Sequence, residues 1–160
     1  MINSLMFSRA SDEWATPDDL YATLDAEFHF RLDAAATMYN WKCERYYGSG
    51  GVYNDALVEA WVDKDGQRCP VWLNPPYSQC REFITKAASE VQNGGVVVCL
   101  VPSRTDTRWW HDYVWDRDRN APRPGVEIRF IKGRLKFNGA TNGAPFPSVI
   151  IIFRTPTEVS

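Results

Sequence analysis

Val71–Trp72–Leu73–Asn74–Pro75–Pro76–Tyr77 is the stretch that decides how this 160-residue chain is read. A short apolar run breaks off into an amide, two prolines and an aromatic ring. Val71, Trp72 and Leu73 have the β-branched and aromatic character of a buried strand. Consecutive prolines lack N–H donors and force the residue before them into extended backbone, so the strand has to stop at Asn74. What remains is a stiff turn at a strand's carboxyl end, where open α/β sheets place their ligand sites. Read alone, the turn serves equally well as a strand terminator or as a holder for an amino group.

Working outward, residues 78–91 form an amphipathic pattern with Phe83, Ile84, Ala87, Ala88 and Val91 at helical spacing, closed by Asn93–Gly94–Gly95. Val96–Val97–Val98–Cys99–Leu100–Val101 is continuously apolar, as a central strand covered on both faces should be, and it stops at Pro102. Upstream, Thr16 fits a helix N-cap, Pro17 the first helical position, and Asp18 and Asp19 the positive end of the helix dipole. That helix is expected to run to about Glu27. Phe28–His29–Phe30–Arg31–Leu32–Asp33 alternates as a half-buried strand ending on an acid, and small residues Ala34, Ala35 and Ala36 follow. A helix is expected from Thr37, then a short strand at 45–47 and a flexible loop at 48–51. A further strand at 52–57 carries a second isolated acid, Asp55. A helix at 106–118, strands at 126–131 and 148–153, and a loop rich in charge and proline at 117–125 complete the pattern. Strands alternating with helices imply an α/β fold with a mostly parallel sheet and helices on both faces. The expected organisation is one domain over 1–160, with a loose start over 1–11. Asp33, Asp55 and the Asn74–Pro75–Pro76–Tyr77 turn should then share one edge of the sheet.

The totals narrow the function. A formal charge of −2 argues against a strongly basic, non-specific nucleic-acid binder, though a local basic surface remains compatible with it. Four cysteines without a C-x-x-C pair and two histidines give no zinc pattern, so no metal is expected. With no long apolar run and no basic-then-apolar leader, a soluble protein of a reducing cytoplasm is expected, with no membrane partner. Seven tryptophans and seven tyrosines exceed core needs for this length and would suit stacking on bases.

Taken as an ordered set, six stretches resemble the phage-type (Dam-like) DNA N6-adenine methyltransferase family. They are Thr16–Pro17, Leu32–Asp33–Ala34–Ala35–Ala36, Asn54–Asp55–Ala56–Leu57, Asn74–Pro75–Pro76–Tyr77, Pro102–Ser103–Arg104–Thr105–Asp106–Thr107 and Gly133–Arg134–Leu135–Lys136–Phe137. The likeness spans residues 12–153. It implies a Rossmann-like, S-adenosyl-L-methionine-dependent methyltransferase fold and methyl transfer to the N6 of an adenine flipped out of double-stranded DNA, at specific sites. It also implies Asn74, Pro75, Pro76 and Tyr77 as the catalytic set. By the same likeness Asp33, Ala34 and Ala35 lie at the methionine or ribose end of the cofactor, Asp55 accepts from its adenine amino group, and Thr16 and Pro17 border its carboxylate. Methyltransferases at large carry a glycine-rich turn where this chain has three alanines, a version that the phage-type group resembles. A role in restriction evasion, in a bacterial or phage-infected cell, is the family-level expectation.

The chemistry suits these residue types. The N6 lone pair of adenine is delocalised into the ring. Two acceptors holding its N–H groups favour a tetrahedral nitrogen whose lone pair points at the methyl group, and the Asn74 side-chain carbonyl and Pro75 backbone carbonyl can supply them. No acidic side chain is needed, because the proton leaves more readily once the amine is charged. Tyr77 would stack on the base, with Phe137 or Phe146 closing on its other face. DNA contact is expected from Arg104, Arg108, Trp109, Trp110, Arg117, Arg119 and Arg123, within an insert over 104–125, and from Lys132, Arg134, Lys136 and Phe137. The motif does not by itself separate DNA from an RNA base or a protein glutamine amide as acceptor. Nor does it exclude a non-catalytic DNA-binding decoy that keeps a methyltransferase shell.

Overall fold

The computed structural model describes residues 14–157; the loose start expected over 1–11 lies outside them. Helix α1 spans Asp18–Phe28, strand β1 Leu32–Asp33 and strand β2 Pro70–Leu73. Helix α2 spans Cys80–Glu90 between two short 3₁₀ turns, and strand β3 spans Val96–Pro102. A single π-helical stretch, Trp110–Val114, leads into a hairpin of β4 (Trp115–Asp116) and β5 (Ala121–Pro122). Strands β6 (Val126–Phe130) and β7 (Ser148–Arg154) follow.

Five strands form one sheet in the order β1–β2–β3–β7–β6. The β1–β2 and β2–β3 pairs are parallel, and β3–β7 and β7–β6 are antiparallel. The sheet is therefore mixed, whereas the alternation of elements led us to expect a mostly parallel one. The reason is local: β6 returns to β7 through a long loop without a crossover helix, which a parallel neighbour would require. β2, β3 and β7 are the inner strands, β3 as its continuous apolar run implied, and their side chains alternate between two cores. Val97, Cys99, Val101, Val149, Ile151 and Phe153 pack beneath α2 with Phe83, Ile84 and Ala87. Trp72, Val98, Leu100, Ile150 and Ile152 pack on the other face with Leu24 of α1, Phe137 and Phe146. Each face thus has its helix.

Several expected elements give way to turns, and polar side chains are the cause. Thr16 makes no cap; Pro17 occupies the N-cap position of α1 and its carbonyl accepts from Tyr21 N. The strand expected from Phe28 shrinks to Leu32–Asp33 because His29 takes the left-handed conformation (φ 55°) and Asp25 draws in the Phe30 N–H. No helix forms over 37–47. There Asp33 captures the Lys42 N–H, which a helix would have bonded four residues back, and the hold of Asp33 on Ala35 N and of Asn40 on Thr37 N closes turns instead. Only isolated bridges, Asp33 with Tyr46 and Tyr47 with Tyr53, stand for the strands expected at 45–47 and 52–57. Asp55 sits in a turn closed by its own carboxylate on Leu57 N (3.0 Å). The helix expected over 106–118 contracts to Trp110–Val114, and Asp116 then accepts the Asp118 and Arg119 N–H groups to start the hairpin.

Candidate active site

Beyond the carboxyl ends of β1 and β2 lies a cavity of about 250 Å³. Thr16, Asp33, Ala34, Ala35, Asp55, Asn74, Pro75 and Pro76 all line it. Pro17 does not, being spent on the start of α1, and Tyr77 faces the aromatic cluster beside it. Sequence reasoning passed over several other walls, among them Trp14, Asn40, Lys42, Gly48 and Phe83. Two tethers set the depth of the cavity. The Trp61 indole donates to the Ala56 carbonyl (2.8 Å) and its backbone N–H to Glu90 of α2, which fixes the Asp55 turn against the helix. Gly48 (φ 134°) lies so close to the alanine run that a Cβ there would sit 1.8 Å from the Ala36 carbonyl oxygen. The close approach that a glycine-rich turn gives elsewhere is here supplied from across the cavity.

Asp33 is 2 % exposed. Its Oδ1 accepts from Ala35 N (3.2 Å) and its Oδ2 from Lys42 N (3.0 Å). Burial nevertheless outweighs these donors and pushes the carboxyl up to about 7. The Lys42 ammonium, paired at 2.7 Å with Asp18, opposes this only in part. A buried acid on a cavity wall that forms no ion pair among the described residues is suited to a ligand that brings donors or positive charge.

Asn74 is fixed by the segment before α1. Its Nδ2 donates both to the Trp14 carbonyl and to Thr16 Oγ1 (3.1 Å). A carbonyl accepts only, so this pairing assigns which end of the carboxamide is nitrogen. Among the described residues no donor reaches Asn74 Oδ1, which leaves an oriented acceptor on the cavity wall. Thr16, expected as a helix cap, uses its hydroxyl here instead.

Tyr77 is half-buried, and burial raises its phenol far above the ordinary range, with the nearby Arg104 guanidinium opposing. Its ring lies nearly parallel to Trp14 (centroids 6.3 Å apart, 19°) and edge-on to Phe146 (4.9 Å). Phe137 and Phe146 are buried and pack on Trp14 as well, so they brace this cluster and offer no face to a base. Trp109 and Trp110 are 6 % and 4 % exposed and belong to the core beneath the sheet, which removes their rings from the expected DNA-contacting set. Arg123 is likewise structural, its guanidinium donating to the His111 carbonyl. Arg104, Arg108, Arg134 and Lys136 are exposed.

Among the described residues, no group of three or more His, Cys, Asp or Glu side chains could hold a metal ion, and no helix is long and apolar enough to cross a membrane. Residues 3–159 match the family model described as "DNA N-6-adenine-methyltransferase (Dam)". The chain is 30% identical to a DNA N-6-adenine-methyltransferase of Escherichia phage T1, over 92% of this chain and 64% of that protein. It is also 30% identical to a DNA N-6-adenine-methyltransferase of Haemophilus phage HP1 (strain HP1c1), over 62% of this chain and 54% of that protein. The matched regions thus span less than two thirds of either relative. The family match itself covers nearly all of the present sequence, so the chain belongs to the DNA N-6-adenine-methyltransferase (Dam) family.

Proposed function

We propose that this protein transfers a methyl group from S-adenosyl-L-methionine to the N6 amino group of an adenine in double-stranded DNA, at specific sites and in the cytoplasm of a bacterial or phage-infected cell. The observation that carries the reading is the Asn74 carboxamide, held through its nitrogen by Trp14 and Thr16 on the wall of a cavity that also holds a buried acid. Three parallel strands, two of which end at that cavity, with helices on both faces of the sheet, fit a Rossmann-like methyltransferase fold. The family membership supports the substrate and the donor.

The residues present fit the donor. S-adenosylmethionine brings a positive charge, hydroxyls and an amino group, and when bound it supplies an activated methyl group. Asp33 would accept from its donors at the methionine or ribose end, beside Ala34 and Ala35. Asp55, whose Oδ1 is turned onto Leu57 N, would offer its second oxygen to the adenine amino group. On the acceptor side, Asn74 Oδ1 and the Pro75 carbonyl receive the two N–H groups of the target N6. That would leave its lone pair free to attack the methyl group that the bound donor would supply. The N–C bond would form as the donor's S–CH3 bond breaks and S-adenosylhomocysteine leaves, and the proton would depart afterwards from the charged amine. Tyr77, braced by Phe146 and Trp14, stacks on the base, an interaction worth roughly 1–3 kcal/mol. The target must leave the duplex stack to arrive there, at a cost of a few kcal/mol.

Radiolabelled methyl transfer to unmethylated duplex DNA, followed by nucleoside analysis, tests the reading. Label in N6-methyladenine is expected, and Asn74→Ala and Tyr77→Ala should abolish it while keeping the fold. Label confined to RNA or protein would overturn the substrate, and no label with intact donor binding would favour a decoy.

A further inference from the structure

The loop joining β6 to β7 has an uneven charge pattern. Residues 131–147 carry Lys132, Arg134 and Lys136 and no acid. Their side chains alternate: Ile131 and Leu135 pack on the core and Phe137 is buried in it, while the three cations between them are exposed. Among the described residues, none of the three makes an ion pair or a side-chain hydrogen bond. The two limbs of the loop run side by side, with Ala144 N donating to the Leu135 carbonyl (2.7 Å) and Gly143 close against Arg134. Its root reaches the site. Phe146 packs edge-on to Tyr77, Phe137 packs on Trp14, and Asn138 N donates to the Ala15 carbonyl (3.0 Å). The acid that the loop touches, Asp18, accepts from Asn138 and is already paired with Lys42.

The 104–125 segment differs. It sets five arginines against four aspartates. Arg119 faces Asp116, Arg123 is tied to the His111 carbonyl, and Trp109 and Trp110 are core.

Resting on the DNA reading above, we infer that the 131–147 loop is the phosphate-gripping surface of this protein, and that the 104–125 insert is not. A row of unpaired cations without acids suits a polyanionic backbone, and the aromatic root joins that grip to the ring on which the base stacks. Three cations set duplex register without reading sequence.

The test is the salt dependence of binding to a short synthetic DNA duplex, followed by fluorescence anisotropy from about 50 to 200 mM salt. The triple variant Lys132→Gln/Arg134→Gln/Lys136→Gln should lower the slope of log affinity against log salt by about 2–3 relative to wild type. It should keep the wild-type melting temperature and affinity for S-adenosylhomocysteine. The variant Arg117→Gln/Arg119→Gln should keep the wild-type slope. A loop variant with an unchanged slope, or an Arg117/Arg119 variant that loses as much, overturns the assignment while leaving the DNA reading intact. Wild-type protein that binds S-adenosylhomocysteine but no duplex at low salt refutes the DNA reading, and the loop assignment falls with it.

Discussion

Replacing Thr16 by valine tests whether the acceptor end of the site is held in place by the segment before α1. Thr16 is 2 % exposed and its Oγ1 lies 3.1 Å from Asn74 Nδ2. Valine has nearly the same shape and cannot accept, so the carboxamide keeps only the Trp14 carbonyl. Leaving one N–H of a partly buried amide unpaired costs about 1–3 kcal/mol; because Asn74 is half-buried, the lower part of that range applies, about 1–2 kcal/mol. On the proposed mechanism the loss should fall on the transition state, since Asn74 Oδ1 must be aimed as the N6 becomes tetrahedral. Single-turnover methyl transfer should then slow by about 5- to 30-fold in Thr16→Val. The melting temperature should fall by a few degrees, at about 2–4 °C per kcal/mol for a chain of this size. Thr16→Ser, which restores the acceptor, should recover most of the rate. A wild-type single-turnover rate in Thr16→Val would refute the positioning argument. Equal loss in the serine variant would mean that the methyl group of Thr16, and not its hydroxyl, is what matters.

The buried acid makes a separate prediction about pH. Asp33 is raised from 3.8 to about 7, so between those values the folded state keeps a proton that the unfolded state has released, and stability falls as pH rises through the window. The carboxylates of Asp18, Glu27, Asp63, Glu90 and Glu127 are shifted downward and lose their contribution only at lower pH, so above about pH 5 the carboxylate expected to shape the profile is Asp33. The melting temperature of the ligand-free protein should drop across that span, and Asp33→Asn should flatten the profile; an unchanged slope in the variant would assign it to another group. Gly48→Ala should destabilise the fold by more than about 1 kcal/mol and weaken S-adenosylhomocysteine binding, because the added methyl meets the Ala36 carbonyl at 1.8 Å. A wild-type melting temperature and affinity in that variant would show that the close approach does not shape the cavity.

Runs that must be buried were legible in the sequence: β2, β3, β7 and α2 lie where apolar continuity or helical spacing put them, because burial dominates their choice of structure. The direction of β7 was not legible, since an apolar run records burial and not the sense of its neighbour. The aromatic residues misled for a related reason. Trp109, Trp110 and Phe137 stand beside arginines and lysines in the sequence, yet the rings are buried and Arg108, Lys136 and their neighbour Arg134 are exposed. Within the site, Asp33 and Asn74 could be singled out because each follows an apolar strand. Lys42 and Gly48 have no such marker; they reach the cavity only through turns that tertiary packing imposes.

Several of the elements that failed to form lie around the cavity, and there polar side chains are the cause. Asp33 takes the Lys42 N–H that a helix over 37–47 would have used, Asn40 closes a turn on Thr37, and Asp55 turns the chain where a strand was expected. Thr16 gives up a helix cap to hold Asn74. Local propensity is overridden where polar groups must converge, as expected when a site is built at some cost to regular structure. This has a mechanical consequence. The carboxylate proposed to meet the methyl donor also fastens residues 35–42, so a ligand that draws on Asp33 acts on the same bonds that shape the cavity wall. Donor binding and the order of that loop should therefore be coupled. Hydrogen exchange at the Ala35 and Lys42 amides should slow when S-adenosylhomocysteine binds, and it should speed up in Asp33→Ala even without ligand.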